Sequence, residues 1–232
     1  MMGFATLYPS YRPNTTSRPR GETAIEKLLG LAGEPLGGTL PILPTSLLET
    51  AGILADELIE LLNRKNGFYA FESALHILPA QSCGLEIGLI EWNSEQLWIH
   101  EYQGMAKEFL FFAEDIFGVQ FCPKADGGYQ FDPETGHVDK LAHNFEGWAD
   151  AILRNYRLLT GHPLAHEWQQ LNGKIASGVR LVPKQLFVLG GAFSIQNLYA
   201  LDAVSAMRMR ASIAVQIKEL PDGTKIRLKV VD

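Results

Sequence analysis

Two histidines one helical turn apart are the first residues whose types and spacing could do chemistry. His162 and His166 stand four positions apart and Glu167 follows them, so on a helix both imidazoles could face one metal ion, as zinc ligands do. The order HxxxHE is not the HExxH of zinc peptidases, and Pro163 predicts a helix that starts just after His162. The sequence offers no third ligand. We therefore predict no metal and no other cofactor, with His166 and Trp168 as packing and capping residues.

An acidic pair, Glu114-Asp115, follows an apolar run and is the second candidate for chemistry. Two carboxylates can serve as general acid and general base when their surroundings separate their pKa values. Neighbouring residues of a strand point to opposite faces, however, which separates the two side chains. We favour a structural role in which Asp115 accepts hydrogen bonds from nearby backbone N–H groups at a turn. Glu114 would then lie on the surface, available to a partner.

The remaining motifs do not indicate catalysis. Residues 132–139 have acidic residues at alternate positions but lack the oxygen ligands and the distant bidentate glutamate of a calcium loop, so we predict a hairpin turn. Gly190-Gly191 belongs to neither GxGxxG nor GxxxxGK[ST]. GxSxG is absent, and Cys83 and Cys122 have no CxxC spacing. The sequence predicts no catalytic residues and a protein that is not an enzyme.

Aromatic and acidic residues occur together between positions 91 and 129, and this composition is typical of protein-recognition surfaces. Because most tryptophans are core residues, we expect only one or two of the aromatic side chains in this segment to be exposed. The candidate partner-binding residues are Glu91, Trp92, Glu95, Trp98, Glu101, Glu114, Phe117, Asp126 and Tyr129.

The elements around these candidates are predicted by turn signals and periodicity. Three short strands, followed by a helix that Asn144 caps, predict an antiparallel meander crossed by one apolar helical stripe. Asp202 can likewise cap the last predicted helix. Residues 68–77 are ambiguous between helix and strand, and we favour a helical turn. The predicted strands are 109–112, 119–122, 129–131, 185–189 and 225–231, and the predicted helices are 23–31, 45–64, one or two irregular ones in 85–102, 145–156, 164–171 and 203–219, with a loop at 173–182 and a short segment at 197–201.

These elements predict an α+β fold, in which a small antiparallel or mixed sheet is flanked by helices and carries a C-terminal αβ extension. We divide the chain into a flexible leader (residues 1–22), an α+β domain (residues 23–160) and an extension packed on the same core (residues 161–232).

Several motifs in this order resemble the SUKH superfamily (the Smi/Knr family), which includes fungal cell-wall-assembly regulators and bacterial immunity proteins. The resemblance covers about three quarters of the chain by analogy. It rests on GFYAFESALHILP (67–79), FFAEDIFGVQF (111–121), YxFDPETG (129–136), FEGWADAIL (145–153), PLAHEW (163–168), VLGGAFSIQNLYALD (188–202) and ELPDG (219–223). It implies the SUKH-like fold and an immunity protein of a polymorphic or secreted toxin system, which neutralises its toxin by binding alone.

Composition agrees with such a protein. The 232 residues are 47% hydrophobic and 20% charged, with a formal net charge of −6. A negative chain is not expected to bind nucleic acid, and it suits a basic protein partner. Two cysteines without redox spacing and the lack of an apolar signal predict a cytoplasmic protein, and no segment is apolar enough to span a membrane.

The sequence leaves several questions open. The toxin could be a nuclease, a deaminase, a NAD-consuming enzyme or a peptidase, because inhibition requires only a complementary surface. One alternative function is a regulatory scaffold with several protein partners, and another is a small metal-dependent hydrolase built around His162 and His166. The oligomeric state is also open.

Overall fold

A computed structural model describes residues 21–38, 41–124, 126–221 and 223–224 of the 232-residue chain. Helices and strands alternate irregularly along these ranges. The helices are α1 (Ala24–Leu31), α2 (Thr45–Ala51), α3 (Ala55–Arg64), α4 (Leu89–Trp92), α5 (Phe145–Leu159), α6 (His162–Asn172) and α7 (Ala203–Ile217). The strands are β1 (Phe68–Ala70), β2 (Leu75–Ile77), β3 (Ala113–Asp115), β4 (Gln120–Lys124), β5 (Gly127–Phe131), β6 (Val138–Ala142), β7 (Val179–Pro183) and β8 (Leu198–Asp202). Short 3-10 helices lie at Gly52–Leu54, Ile99–Tyr102, Phe187–Leu189 and Ile195–Asn197.

The strands form two sheets, and every pair is antiparallel. Six strands make one sheet in the order β1-β2-β3-β4-β5-β6, while β7 and β8 make a separate two-stranded ribbon. Each strand of the large sheet thus pairs with its neighbour in sequence, through short connections except between β2 and β3, where residues 78–112 contain α4 and a 3-10 helix. The predicted α+β class is confirmed.

Helix α5 packs on the large sheet through an apolar stripe at helical spacing. Asn144 caps it by accepting a hydrogen bond from the backbone N–H of Gly147 at 2.8 Å, as predicted. Phe145, Trp148 and Ile152 are buried. The Trp148 ring lies 5.0 Å from the ring of Phe112, the residue just before β3. The predicted meander and helix are therefore confirmed in their main features.

Helix α7 completes the main core from the C-terminal region. Asp202 caps it by accepting from the Ser205 backbone N–H, as predicted. Its buried face joins the core formed by α1, α3, the large sheet and α5. The buried Tyr102 hydroxyl donates a hydrogen bond to the Pro133 carbonyl at 2.8 Å. It also lies 3.3 Å from the carbonyl oxygen of Met207 in α7.

A second, smaller core lies where the ribbon and α6 meet the large sheet. Its buried members come from the β1–β2 hairpin, the β3–β4 turn, α6, the loop after α6 and the ribbon, so it joins the predicted extension to the rest of the chain. They are Ala74, Ile116, Phe117, Ala165, Ile175, Leu181 and Leu198.

The prediction of a helical turn in residues 68–77 is wrong, because this segment is the β1–β2 hairpin. Its connection contains three consecutive non-glycine residues with left-handed backbone angles, Phe71 (φ 51°), Glu72 (φ 55°) and Ser73 (φ 71°). Such angles are disfavoured for residues with a Cβ, so propensity rules do not anticipate this turn.

Other boundaries also differ from the predictions. The predicted helix 45–64 is interrupted at Gly52, whose φ of 61° ends α2. The first meander strand is β3, which starts after the predicted 109–112. The segment 185–189, predicted as a strand, contains a 3-10 helix instead. Strand β7 occupies the end of the segment 173–182, which was predicted as a loop. Strand β6 was not predicted. The strand predicted at 225–231 and nearly all of the leader lie outside the described residues.

Among the described residues, no helix combines the length and the apolar character needed to cross a membrane.

Candidate functional site

Four of the nine predicted partner-binding residues are buried and contribute to the interior. The Trp92 and Trp98 rings lie 5.5 Å apart within the main core. Phe117 belongs to the second core, and Glu114 is only 2% exposed. Burial therefore removes these four side chains from the surface that a partner could reach.

The other five predicted residues reach solvent in two places. Three glutamates are exposed: Glu91 in α4, Glu95 in the turn after it, and Glu101 in the 3-10 helix that follows. Asp126 and the half-buried Tyr129 lie on the β4–β5 hairpin, where the Tyr129 hydroxyl donates to the Asp126 carboxylate at 2.8 Å. Lys140 contacts the same carboxylate at 2.8 Å and holds the pKa of Asp126 below its usual value.

Glu114 takes part in a buried ion pair that joins the large sheet to the ribbon. The Arg180 Nη2 atom, on β7, lies 2.6 Å from Glu114 Oε1, and both side chains are at most 2% exposed. Gln120 donates to the other carboxylate oxygen at 3.0 Å. His76 Nδ1 lies 3.2 Å from Oε1. The expectation that Glu114 lies on the surface is wrong.

The charge states of this cluster follow from burial and pairing. Burial would raise the pKa of Glu114, but Arg180 and His76 outweigh it and lower that pKa to about 2. Burial lowers the pKa of His76, which favours the neutral imidazole. We infer a buried carboxylate neutralised by one guanidinium, with its lone pairs occupied by neighbours.

Asp115 has the turn-capping role predicted for it. Its Oδ1 accepts hydrogen bonds from the backbone N–H groups of Phe117 and Val119, both at 2.8 Å. Burial raises its pKa to about 7, although these hydrogen bonds act in the opposite direction. The two carboxylates are thus held by separate structural contacts and do not converge on a shared point.

An exposed aromatic stack lies over the second core and was missed in the sequence. The rings of Phe187 and Phe193 are parallel, with centroids 3.9 Å apart and an interplanar angle of 6°. Phe117 packs edge-on beneath them, with its ring 5.5 Å from that of Phe187. Phe193 is 68% exposed, and nearby Val188 is 40% exposed. In the sequence, the feature that indicates this stack is the apolar run VLGGAF (188–193), whose two glycines permit a tight loop.

The loop that carries this stack is tightly held. The Asn197 side chain donates to the carbonyls of Gln185 and Ala192 at 2.9 and 3.0 Å, and it accepts from the Gln185 N–H. A Cβ at Gly191 would lie 1.9 Å from the Gln185 carbonyl oxygen, so only glycine fits. Phe193 is therefore presented in one defined position.

The two histidines at i and i+4 do share a face of α6, because that helix begins at His162 and not after it. The structure adds the third side chain that the sequence did not reveal, Glu72 of the β1–β2 turn. Glu72 Oε2 lies 2.7 Å from His166 Nδ1, and Oε1 lies 3.9 Å from His162 Nε2.

Comparisons with known proteins give a likeness of fold. No family model matches the chain, and no curated protein matches it. The chain is similar to the solved structure titled "Crystal structure of Atu4351 from Agrobacterium tumefaciens", with 14% sequence identity and a TM-score of 0.51. The alignment covers 81% of this chain and 88% of the other. A likeness at this identity supports the α+β architecture alone.

Proposed function

We propose that this protein is an immunity protein that binds a cognate antibacterial toxin domain in the cytoplasm and neutralises it by association. The resemblance of its motifs to the SUKH superfamily suggests the function. The structural observation that carries the proposal is the exposed Phe187–Phe193 stack, which gives a protein partner an ordered aromatic anchor.

The stack has the properties of an interface hot spot. Large aromatic side chains at the centre of an interface supply most of its binding energy. Because the Asn197 contacts already fix the loop, little conformational entropy is lost when a partner covers Phe193. A preorganised anchor favours a slow dissociation rate, which an inhibitor of a toxic enzyme requires.

Charge supports a basic partner. The formal net charge is −6, and the exposed Glu91, Glu95 and Glu101 occupy one continuous stretch of chain. Negative side chains at the rim of an interface accelerate encounter with a positive surface and disfavour wrong partners. We propose that these glutamates affect mainly the association rate, while the aromatic stack determines the dissociation rate.

The first test is co-purification of the tagged protein from its native host, followed by titration of the retained partner. The proposal expects one stoichiometric toxin domain with a Kd of about 1 nM or tighter. Several weakly bound proteins would instead favour the regulatory scaffold. Recovery of no partner from cells that produce the toxin would contradict the proposal.

The anchor is tested by Phe193→Ala, with Ile53→Ala as the matched control. Ile53 is 73% exposed, close to the 68% of Phe193, and lies in the 3-10 helix between α2 and α3. Loss of a hot-spot aromatic costs about 2 kcal/mol or more, so we expect about 30-fold weaker binding, mainly through faster dissociation. Equal effects of the two substitutions would show that the partner binds elsewhere.

A further inference from the structure

We propose that Glu72, His162 and His166 form a binding site for one divalent transition-metal ion of the Zn²⁺ class. The ion would join the β1–β2 turn to helix α6. The site is separate from the aromatic stack, and the inference does not depend on the identity of any toxin.

The distances of the three side chains fit a shared ion. One ligand atom from each side chain lies within 4.8 Å of the other two. Tetrahedral zinc with bonds of about 2.0–2.1 Å separates its ligand atoms by roughly 3.4 Å. The two oxygens of Glu72 each face one histidine, with Oε1 3.9 Å from His162 Nε2 and Oε2 2.7 Å from His166 Nδ1. Glu72 and His166 are exposed and His162 is half-buried, so small side-chain rotations can shorten the separations from at most 4.8 Å toward the tetrahedral value.

The ligand types select the class of metal. Two imidazole nitrogens and one carboxylate oxygen suit zinc and its first-row neighbours, whereas calcium and magnesium prefer oxygen ligands alone. Three protein ligands leave the fourth tetrahedral position to water.

The surroundings hold the three ligands as a unit. The Gln169 side chain donates to the Glu72 backbone carbonyl at 2.9 Å and so fixes the turn against α6. The His162 ring packs against Tyr156 at 5.4 Å and against the His166 ring at 5.8 Å. The Gln170 amide lies 2.8 Å from His166 Nε2, the nitrogen that faces away from the proposed ion. An amide there can accept the Nε2 proton of a metal-bound imidazole after a flip, which is the usual outer partner of a histidine ligand.

An ordinary surface ion pair is the competing explanation, and the chain contains a matched control. His137 Nε2 lies 3.1 Å from Asp139, and both side chains are exposed. A simple Glu72–His166 pair would require no second histidine, whereas the proposed site requires His162 as well. His137→Ala therefore measures the metal binding that an isolated histidine and carboxylate provide.

The experiment uses the full chain without a tag, first treated with a chelator. Zn²⁺ is then titrated in competition with a chromophoric chelator, and Co²⁺ is used to record the visible absorption of four-coordinate cobalt. We expect one ion per chain with a Kd below about 1 µM. Glu72→Gln, His162→Ala and His166→Ala should each weaken binding about 100-fold or more, and Gln170→Ala about tenfold. His137→Ala should change the affinity less than about twofold.

Thermal unfolding provides an independent readout, since an ion that binds only the folded chain raises Tm. Zn²⁺ should raise the Tm of the parent and of the His137→Ala variant, and leave that of His166→Ala unchanged. The Glu72 and His166 side chains are 53% and 46% exposed, so Glu72→Gln and His166→Ala should preserve the fold. A Kd for Zn²⁺ above about 1 µM would overturn the proposal. So would an equal loss of Zn²⁺ affinity in His137→Ala and in the variants of Glu72, His162 and His166. Neither result would bear on toxin binding.

Discussion

Replacement of Arg180 by leucine should destabilise the fold severely. The substitution leaves the Glu114 carboxylate buried at 2% exposure without its counter-charge, which lies 2.6 Å away in the parent. A buried charge without a partner costs far more than a lost surface contact. In the parent, burial lowers the pKa of His76 and favours the neutral imidazole, so Arg180 is the cation that pairs with Glu114.

The magnitude follows from the pKa of Glu114. Its fall from 4.5 to about 2 corresponds to about 3 kcal/mol at about 1.4 kcal/mol per pH unit. A lowered carboxyl pKa contributes stability above pH 4.5 that is lost as the pH falls through about 2. Breaking a buried ion pair from one side typically costs about 3–5 kcal/mol, in agreement with this value.

Urea unfolding of the parent, Arg180→Leu and the Glu114→Gln/Arg180→Leu double variant tests this reasoning. At pH 7 we expect Arg180→Leu to lose about 3–5 kcal/mol of unfolding free energy, and the double variant to lose less, because position 114 then carries no unpaired buried charge. The loss of unfolding free energy in Arg180→Leu, relative to the parent, should become smaller as the pH falls to 4, because Glu114 of the variant can take up a proton.

Arg154→Leu is the matched control for that experiment. Arg154 pairs with Asp150 at 3.0 Å but is 74% exposed, so the loss should stay below about 1 kcal/mol. The reasoning is refuted if Arg180→Leu costs no more than this control, or if its deficit is the same at pH 7 and pH 4.

Three further substitutions have defined outcomes. Burial raises the Asp115 pKa from 3.8 to about 7, so this carboxyl lowers stability as the pH rises through about 7. Asp115→Asn retains the Oδ1 acceptor. In urea unfolding, its free energy of unfolding should equal that of the parent at pH 4 and be higher than that of the parent at pH 8. Trp148→Ala should cost about 3–5 kcal/mol by the same assay, because this side chain is 2% exposed in the main core. Gly161→Ala should cost more than about 1 kcal/mol and lower Tm, since φ is 67° and its Cβ would lie 2.4 Å from the Phe117 ring.

The parts of the fold that could be predicted are those with local signals. The Asn144 and Asp202 caps and the periodic apolar stripe of α5 are encoded within single segments, and each was confirmed. The β1–β2 hairpin lacked such a signal, because its connecting residues are not glycine, asparagine or aspartate. Strand β7 was missed because Pro183 and a neighbouring glycine-containing segment are typical of loops, although proline is tolerated on a two-stranded ribbon.

The candidate sites depended on contacts across long sequence separations, which periodicity does not reveal. Glu72 precedes His166 by 94 positions, so only the fold brings a third ligand to the histidines. The partner of Glu114 is Arg180, in a segment predicted as a loop. The sequence shows directly that residues 91–101 are rich in acidic side chains. It does not show that Trp92 and Trp98 are buried, because their burial depends on packing within the main core.

The position of α7 in the main core has a consequence for synthesis of the chain. That core starts with Leu28 and is completed by Ala203, Met207, Ala211 and Ala214, the last of its members to be translated. Until they emerge from the ribosome, apolar surface on the sheet side has no cover, and the nascent chain exposes a site for chaperones and for aggregation. The main core can therefore close only after residues 203–214 have left the ribosome, and slow ribosome passage through these residues should increase aggregation more than an equal pause within α1.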